Sequence, residues 1–284
     1  MNELALFAGA GGGILGGQLL GWRTVCAVER NAYAASVLVA RQNDRLLPAF
    51  PIWDDVCTFD GTAWHGIVDV VSGGFPCQDI SAAGKGAGID GERSGLWKEF
   101  ARIVCEVRPR FVFVENSPML TVRGLGRVLG DLAALGYDAE WGVLGANAVG
   151  APHKRDRMWI VAYSECAKRG QECGTRNRLA RQYCVSQRQE GASGAGGGCK
   201  NVADTYGSYK HGRGGTLQMG RKRCESAAAK NGDAARAEWN VEPCVGRVAD
   251  GVAARVDRLT AIGNGQVPQC AAEAWLRLSA RFGF

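Results

Sequence analysis

Short apolar runs alternate with helix-like patterns through the first 163 residues of the chain. Five runs have the length and the β-branched or aromatic character of buried strands: LALF (4–7), TVCAVE (24–29), IVDVVS (67–72), FVFVEN (111–116) and MWIVAY (158–163). Helical spacing is found in AYAASVLVARQ, which follows the capping residue Asn31, and in LGRVLGDLAALG (125–136). This alternation predicts an α/β fold with a mostly parallel sheet and helices on both of its faces.

The pattern ends after Tyr163. Residues 164–257 are rich in Gly, Arg, Ser and Cys, contain few apolar runs, and include the linker-like stretch GASGAGGG (191–198). Helical periodicity returns after the turn GNGQVP, in QCAAEAWLRLSARF. The chain therefore reads as an α/β body that is interrupted by an inserted segment and receives its last helix from the C-terminus.

The charge changes this picture because it is unevenly distributed. Residues 164–257 hold 16 of the 34 basic and 10 of the 28 acidic residues, so they carry the whole formal excess of +6. A basic segment beside a neutral body is consistent with a polyanionic partner such as nucleic acid. An ordinary solvated surface is the alternative interpretation.

Membrane insertion, secretion and metal binding are not predicted. No apolar run is long enough to span a bilayer, and the N-terminus MNELALFAGAGGG lacks the basic start of a signal peptide. We therefore expect a cytoplasmic protein. No pair among the inserted cysteines Cys166, Cys173, Cys184 and Cys199 has the short spacing that is typical of structural zinc.

Candidate cofactor residues follow the first strands. The glycine loop LFAGAGGG (6–13) comes directly after a strand, and Glu29 ends the next one, where an acid can bind ribose hydroxyls. This combination favours a cofactor that contains adenosine, although a purely structural glycine turn is the alternative. Asp55, near the end of a third strand, could accept from an adenine amino group or could be a solvated loop acid.

The stretch VVSGGFPCQDIS (70–81) places a cysteine on a stiff turn at the end of a strand. Pro76 fixes its own φ angle, and Cys77 would face the ligand crevice of an open α/β sheet. A helix or loop N-terminus after it could lower the thiol pKa. These features favour a nucleophile over a buried, inert cysteine.

Candidate partners for this thiol occur later in the chain. Glu115 follows four apolar residues at a strand end, where burial can raise the pKa of a carboxyl group and make it a general acid. Arg155 and Arg157 take alternate positions as the chain enters the next strand, and could stabilise negative charge. Each feature alone is common on protein surfaces.

In this order, the motifs resemble those of the cytosine-5 DNA methyltransferases. LFAGAGGG is similar to the first cofactor motif, GGFPCQDIS to the catalytic proline-cysteine motif, ENS to a Glu-Asn-Val motif, and PHKRDR and RLTAIGNGQVP to the later motifs. The resemblance implies a Rossmann-like fold that binds S-adenosyl-L-methionine. It assigns cofactor contacts to Phe7, Ala8, Gly9, Gly11, Gly12, Glu29, Arg30, Asp55, Val56, Pro76, Leu96 and Asn264.

The resemblance covers residues 1–163 and 258–284, which we expect to form the catalytic, cofactor-binding domain. Ser117, His153 and Gly265 depart from the residues that are common in the family. Residues 164–257 match no motif. By position they correspond to the family's variable target-recognition segment, which is inserted before the C-terminal helix.

The resemblance also implies the chemistry. Cys77 would attack carbon 6 of a cytosine flipped out of double-stranded DNA, and carbon 5 would take the methyl group of S-adenosylmethionine. Glu115 would protonate ring nitrogen 3, while Arg157, with Arg155 nearby, would stabilise the oxygen at carbon 2. DNA contacts are expected at Gln78, Ser81, Arg93, Arg221, Lys222 and Arg223.

The implied setting is a bacterial or phage-infected cell, with a monomer acting on DNA and a restriction endonuclease as a possible genetic partner. Two other functions stay open at this point. One is a cytosine-5 methyltransferase acting on RNA such as tRNA, and the other is a non-catalytic DNA-binding relative.

Overall fold

The described residues 1–76, 96–164 and 255–283 of the computed structural model form a seven-stranded sheet in the order β3-β2-β1-β4-β5-β7-β6. The strands are β1 (Asn2–Leu6), β2 (Arg23–Val28), β3 (Ile52–Trp53), β4 (Val70–Gly73), β5 (Phe111–Asn116), β6 (Asp138–Leu144) and β7 (Arg157–Tyr163).

The helices are α1 (Gly12–Leu19), α2 (Ala32–Asn43), α3 (Leu96–Val107), α4 (Leu120–Arg123), α5 (Leu125–Ala134), α6 (Arg255–Asn264) and α7 (Pro268–Ser279). Asn31 caps α2 as predicted, because its Oδ1 accepts from the Ala34 backbone N–H at 2.9 Å. Short 3₁₀ turns occur at Thr62–Trp64, Ala146–Val149 and Ala280–Phe282.

The first five strands are parallel and β7 is antiparallel to both of its neighbours. The α/β class and the mostly parallel sheet are therefore confirmed. The reversal of β7 has a direct consequence for the site. Asn116, the last residue of β5, pairs with Met158 near the start of β7. Arg157, which begins β7, therefore lies at the edge of the sheet where the parallel strands end.

Alternate residues of the strands point to opposite faces of the sheet, one of which carries one core cluster and the other two. One face presents Leu4, Val71, Val112 and Ile160 to a core that includes α3 and α5. The opposite face presents Phe111, Phe113 and Trp159 to α7, and Ala5 and Ala27 to α1 and α2. Helices thus cover both faces, as the sequence predicted.

The C-terminal helix α7 is held by aromatic packing. The Trp275 ring lies 4.6 Å from Trp22, 5.1 Å from Phe111 and 5.5 Å from Phe113, measured between centroids, in edge-on arrangements. Close packing of α1 against α7 adds to this, since a Cβ on Gly16 would come within 2.7 Å of the Ala271 methyl group. The last helix is therefore an integral part of the sheet's core.

One strand and three helices were not predicted from the sequence. The edge strand β6 has charged and glycine residues within DAEWGVL and exposes Trp141 and Val143, so it lacks the apolar character of the inner strands. The three helices are α3, α4 and α6. Within the described ranges, no helix combines the length and apolarity that a bilayer span requires.

We expect Trp275→Ala to lower the free energy of unfolding by about 3–5 kcal/mol, because it removes a buried ring from the centre of the aromatic cluster. Denaturant-induced unfolding of the full chain measures this change. The neighbouring Leu276 is 56% exposed, so Leu276→Ala is the matched control and should change stability by less than about 0.5 kcal/mol. Equal effects of the two substitutions would contradict the proposed packing.

Candidate active site

A crevice opens at the carboxyl edge of the sheet, between the glycine loop, the ends of β4 and β5, and the turn that joins α6 to α7. Its lining includes Phe7, Ala8, Gly9, Gly13, Ser72, Gly73, Gly74, Glu115, Asn264, Gly265 and Gln266. Four of the predicted cofactor residues, namely Phe7, Ala8, Gly9 and Asn264, therefore meet in one place although they come from opposite ends of the chain.

The glycine loop depends on left-handed backbone geometry. Phe7 has φ 51° and Gly9 has φ 55°, and Gly11, with φ 93°, immediately precedes α1. A left-handed phenylalanine is uncommon, and such strain is concentrated at functional sites. Gly12 fits closely for another reason, since a Cβ there would overlap the backbone carbonyl of Gln266.

Glu29 binds the backbone of the glycine loop. Its Oε2 accepts from the Gly9 backbone N–H at 2.6 Å, and its Oε1 accepts from the Asn31 backbone N–H at 2.7 Å. Burial raises the pKa of the carboxyl group, and the two backbone hydrogen bonds oppose that rise. Each oxygen can accept a second hydrogen bond, so Glu29 can hold the loop and still contact ribose hydroxyls.

Asp55 lies beyond the end of β3. Its Oδ1 accepts from the Cys57 backbone N–H at 2.9 Å, while its Oδ2 is 3.6 Å from Arg30 Nη1. Val56, the next residue, is buried with 5% exposure. The predicted adenine contacts Asp55 and Val56 and the predicted cofactor contact Arg30 are thus close together, at the ends of β3 and β2.

Glu115 and Arg157 form the central charged pair of the crevice. Arg157 Nε lies 2.8 Å from Glu115 Oε1. Burial raises the pKa of Glu115 to about 7, although the charges of Arg157 and Arg155 act to lower it. A carboxyl group with this pKa exchanges its proton near neutral pH, which is the property required of a general acid.

Asn116 fixes the backbone that leads to the predicted nucleophile. Its Nδ2 donates to the Phe75 carbonyl oxygen at 3.1 Å, and its Oδ1 accepts from the Ser117 backbone N–H at 2.8 Å. The Phe75 ring also packs 5.3 Å from the Trp97 ring in α3. Pro76 follows in a half-buried position, and Leu96 packs against the same core as Trp97.

Arg155 does not take the predicted position beside Arg157 at the start of the strand. It precedes β7 with φ 40° and does not continue the strand. Its Nη2 donates to the carbonyl oxygens of Ile262 (2.9 Å), Gly263 (2.7 Å) and Gly265 (2.5 Å). Arg155 therefore caps the C-terminal end of α6, whose last carbonyls have no partners within the helix. Its charge still contributes to lowering the pKa of Glu115.

Two residues of this site were not assigned a role from the sequence. Gln266 lines the crevice between Gly13 and Gly74, because a Cβ on Gly13 would come within 2.6 Å of its Oε1 and a Cβ on Gly74 within 3.3 Å of its Nε2. Asn116 is the other. Gln266 belongs to the motif GNGQVP and Asn116 to the motif ENS, and this membership was the sequence signal that could have indicated a functional role for them.

Several predicted site residues lie outside the described residues. These are the nucleophile Cys77, the DNA contacts Gln78, Ser81 and Arg93, the basic cluster Arg221, Lys222 and Arg223, and the inserted cysteines. For these residues the assignments stay predictions from the sequence.

The chain is similar to methyltransferases of bacteria and viruses. It is 39% identical over 168 residues to the type II methyltransferase M.Eco47II of Escherichia coli, covering 56% of this chain and 38% of the relative. It is 34% identical over 163 residues to M.CviJI of Paramecium bursaria Chlorella virus IL3A, covering 57% and 42%. The chain thus spans about two-fifths of the length of these curated relatives.

Among solved structures, the S. pombe Dnmt2 methyltransferase is 20% identical, with a TM-score of 0.47 and coverage of 58% of this chain and 51% of its own. The family model for the C-5 cytosine-specific DNA methylases matches residues 1–191, about two-thirds of the chain. Together with the ordered motifs and the Glu115–Arg157 pair at the sheet edge, this match identifies the chain as a member of the C-5 cytosine-specific DNA methylase family.

Proposed function

We propose that this protein transfers a methyl group from S-adenosyl-L-methionine to carbon 5 of a cytosine in a specific double-stranded DNA sequence. The observation that carries the proposal is Glu115, which lines the crevice and is paired with Arg157. Its neighbour Asn116 holds the Phe75 carbonyl, two residues before Cys77. Two adjacent residues of β5 therefore organise the site. Glu115 is the acid and binds the Arg157 guanidinium, and Asn116 holds the backbone that leads to Cys77.

The residues around the crevice fit the cofactor. Phe7 offers an aromatic surface beside the glycine loop, Glu29 retains accepting capacity for ribose hydroxyls, and Asp55 Oδ2 can accept from an adenine amino group. Asn264 lines the same crevice from the C-terminal side. When bound, S-adenosylmethionine supplies an electrophilic methyl group.

The protein's own groups activate the base. Carbon 5 of cytosine is a weak nucleophile, and addition of the Cys77 thiolate to carbon 6 turns the ring into a reactive enamine. Glu115, in its protonated form, donates a proton to ring nitrogen 3 as negative charge develops there. Arg157 stabilises the oxygen at carbon 2 and orients the carboxyl group. Once carbon 5 carries the methyl group, a base removes the carbon-5 proton and the Cys77 thiolate leaves carbon 6, which restores the ring double bond and the free enzyme.

The target must leave the helix before these groups can reach it. Flipping a cytosine out of stacked DNA costs roughly a few kcal/mol, which protein contacts have to offset. We assign those contacts to Gln78, Ser81 and Arg93, and to the basic residues 164–257 with Arg221, Lys222 and Arg223. The protein would act as a monomer on duplex DNA, and type II relatives point to a restriction-modification setting.

Glu115→Gln should lower the single-turnover methylation rate by about 10²–10⁴-fold, because the amide keeps the shape but cannot deliver a proton. In the wild type, the rate should fall as pH rises through about 7, since the pKa of Glu115 is about 7 and only the protonated form donates. That decline should disappear in Glu115→Gln. Rates measured from about pH 6 to about pH 9 on one duplex test both expectations.

The matched control is Glu273→Gln, which changes a half-buried carboxylate of α7 that pairs with Arg277. This variant should keep the wild-type rate and pH profile. A Glu115→Gln protein that retains the wild-type rate would remove the general acid from the mechanism.

Cys77→Ser should abolish the covalent step, because the serine hydroxyl is a far weaker nucleophile near neutral pH. On duplex DNA with 5-fluorocytosine at the target, the wild type should form an adduct that survives denaturation, and Cys77→Ser should form none. Gel electrophoresis of the denatured complex detects the adduct. Parallel reactions with tRNA separate the two substrates, and transfer to tRNA alone would rule out DNA as the substrate.

A further inference from the structure

A partly buried network of charges connects helix α3 to the loop that follows β3. Its centre is Arg102, which lies two turns into α3. Arg102 Nη2 donates to the Val56 carbonyl at 2.8 Å, and Nη1 donates to the Phe59 carbonyl at 3.0 Å. Both carbonyls belong to the segment directly after Asp55, so one guanidinium group holds the loop at two points.

Two glutamates of α3 hold Arg102 in this orientation. Glu99 Oε2 accepts from Arg102 Nε at 2.7 Å, and Glu106 Oε2 accepts from Nη1 at 2.8 Å. Glu106 Oε2 also accepts from the Gly61 backbone N–H at 3.0 Å. The side chain of Glu106 is only 9% exposed. The network therefore contacts three backbone groups of the loop, those of Val56, Phe59 and Gly61.

The loop needs this support because it has little regular structure of its own. Strand β3 is only two residues long, and within the loop Asp55 accepts from the backbone N–H groups of Cys57 and Thr58. Val56 and Phe59 are buried, with 5% and 4% exposure. Carbonyls that lose their donor in such surroundings cost free energy unless the loop moves to find new partners.

We propose that Arg102 is a positioning residue for the adenine end of the cofactor, acting through the loop that carries Asp55. This inference rests on the proposed function, because it assumes that Asp55 accepts from the adenine amino group of the cofactor. The planar guanidinium suits the task, since it donates in fixed directions to two carbonyls and two carboxylates at once.

Calorimetric titration of the full chain tests the proposal without relying on activity. Two ligands are compared: S-adenosylhomocysteine, and S-inosylhomocysteine, in which a carbonyl replaces the 6-amino group. The wild type should bind the adenine compound more tightly. Arg102→Met should weaken binding of the adenine compound by about tenfold, the order expected for one lost hydrogen bond to a charged group. In this variant the ratio of the affinities for S-adenosylhomocysteine and S-inosylhomocysteine should fall towards one.

The control is Arg277→Met, which breaks a comparable pair, Arg277 with Glu273 four residues earlier on the helix, on the exposed side of α7. It should leave both affinities unchanged. Should Arg102→Met fail to fold, Arg102→Lys is the second variant. It keeps a positive charge between the glutamates but cannot reproduce the fork, and it should also lose part of the preference.

The possible outcomes distinguish a failure of the proposed function from a failure of the positioning role of Arg102. A wild type that binds neither ligand overturns the proposed function together with this inference. A wild type that binds both ligands equally, or a folded Arg102 variant that weakens both ligands by the same factor, overturns the positioning role alone. Unchanged affinities in the Arg102 variants would do the same.

Discussion

The site depends on a carboxyl group that is buried beside a guanidinium group. Burial opposes ionisation of Glu115, and Arg157 at 2.8 Å favours it. Because burial outweighs the charges of Arg157 and Arg155, the pKa of Glu115 rises to about 7, and its proton is neither permanently held nor permanently lost near neutral pH. Neither residue could achieve this alone, since an exposed glutamate would be ionised and an isolated buried one would stay neutral.

The reversed strand β7 is what makes this pair possible. In a fully parallel sheet, the start of a strand lies at the opposite edge from the end of its neighbour. Here β7 is antiparallel to β5, and its first residue meets the last residues of β5. The same edge receives the turn between α6 and α7, which Arg155 holds by three carbonyls. The reversed direction of β7 and the capping of α6 by Arg155 thus bring Arg157 and the α6–α7 turn to the same crevice.

Much of the fold was predictable because it is encoded locally. The run FVFV (111–114) is apolar at every position, as expected for a strand covered on both faces, and Asn31 precedes its helix with the expected cap. Glu115 could be placed near the crevice because it ends such a run. Strand β6 was missed because an edge strand carries charged and polar residues that do not show a simple alternation.

Long-range contacts were not predictable in the same way. Arg155 looked like a partner of Arg157 from its spacing, yet its guanidinium bonds to Ile262, a residue 107 positions later. The position of Gln266 between the glycine loop and Gly74 also depends on how distant segments pack. Spacing identifies which residue types are available, and only the packed fold decides which of them meet.

The contribution of α7 has a consequence for how the protein is made. The glycine loop is synthesised about 250 residues before Gln266 and Trp275 emerge from a ribosome. Until then the rings of Trp22, Phe111 and Phe113 lack the partner that covers them. Nascent chains would therefore expose an aggregation-prone aromatic surface. Their cofactor crevice would also be incomplete, so cofactor binding would begin only after α7 has docked.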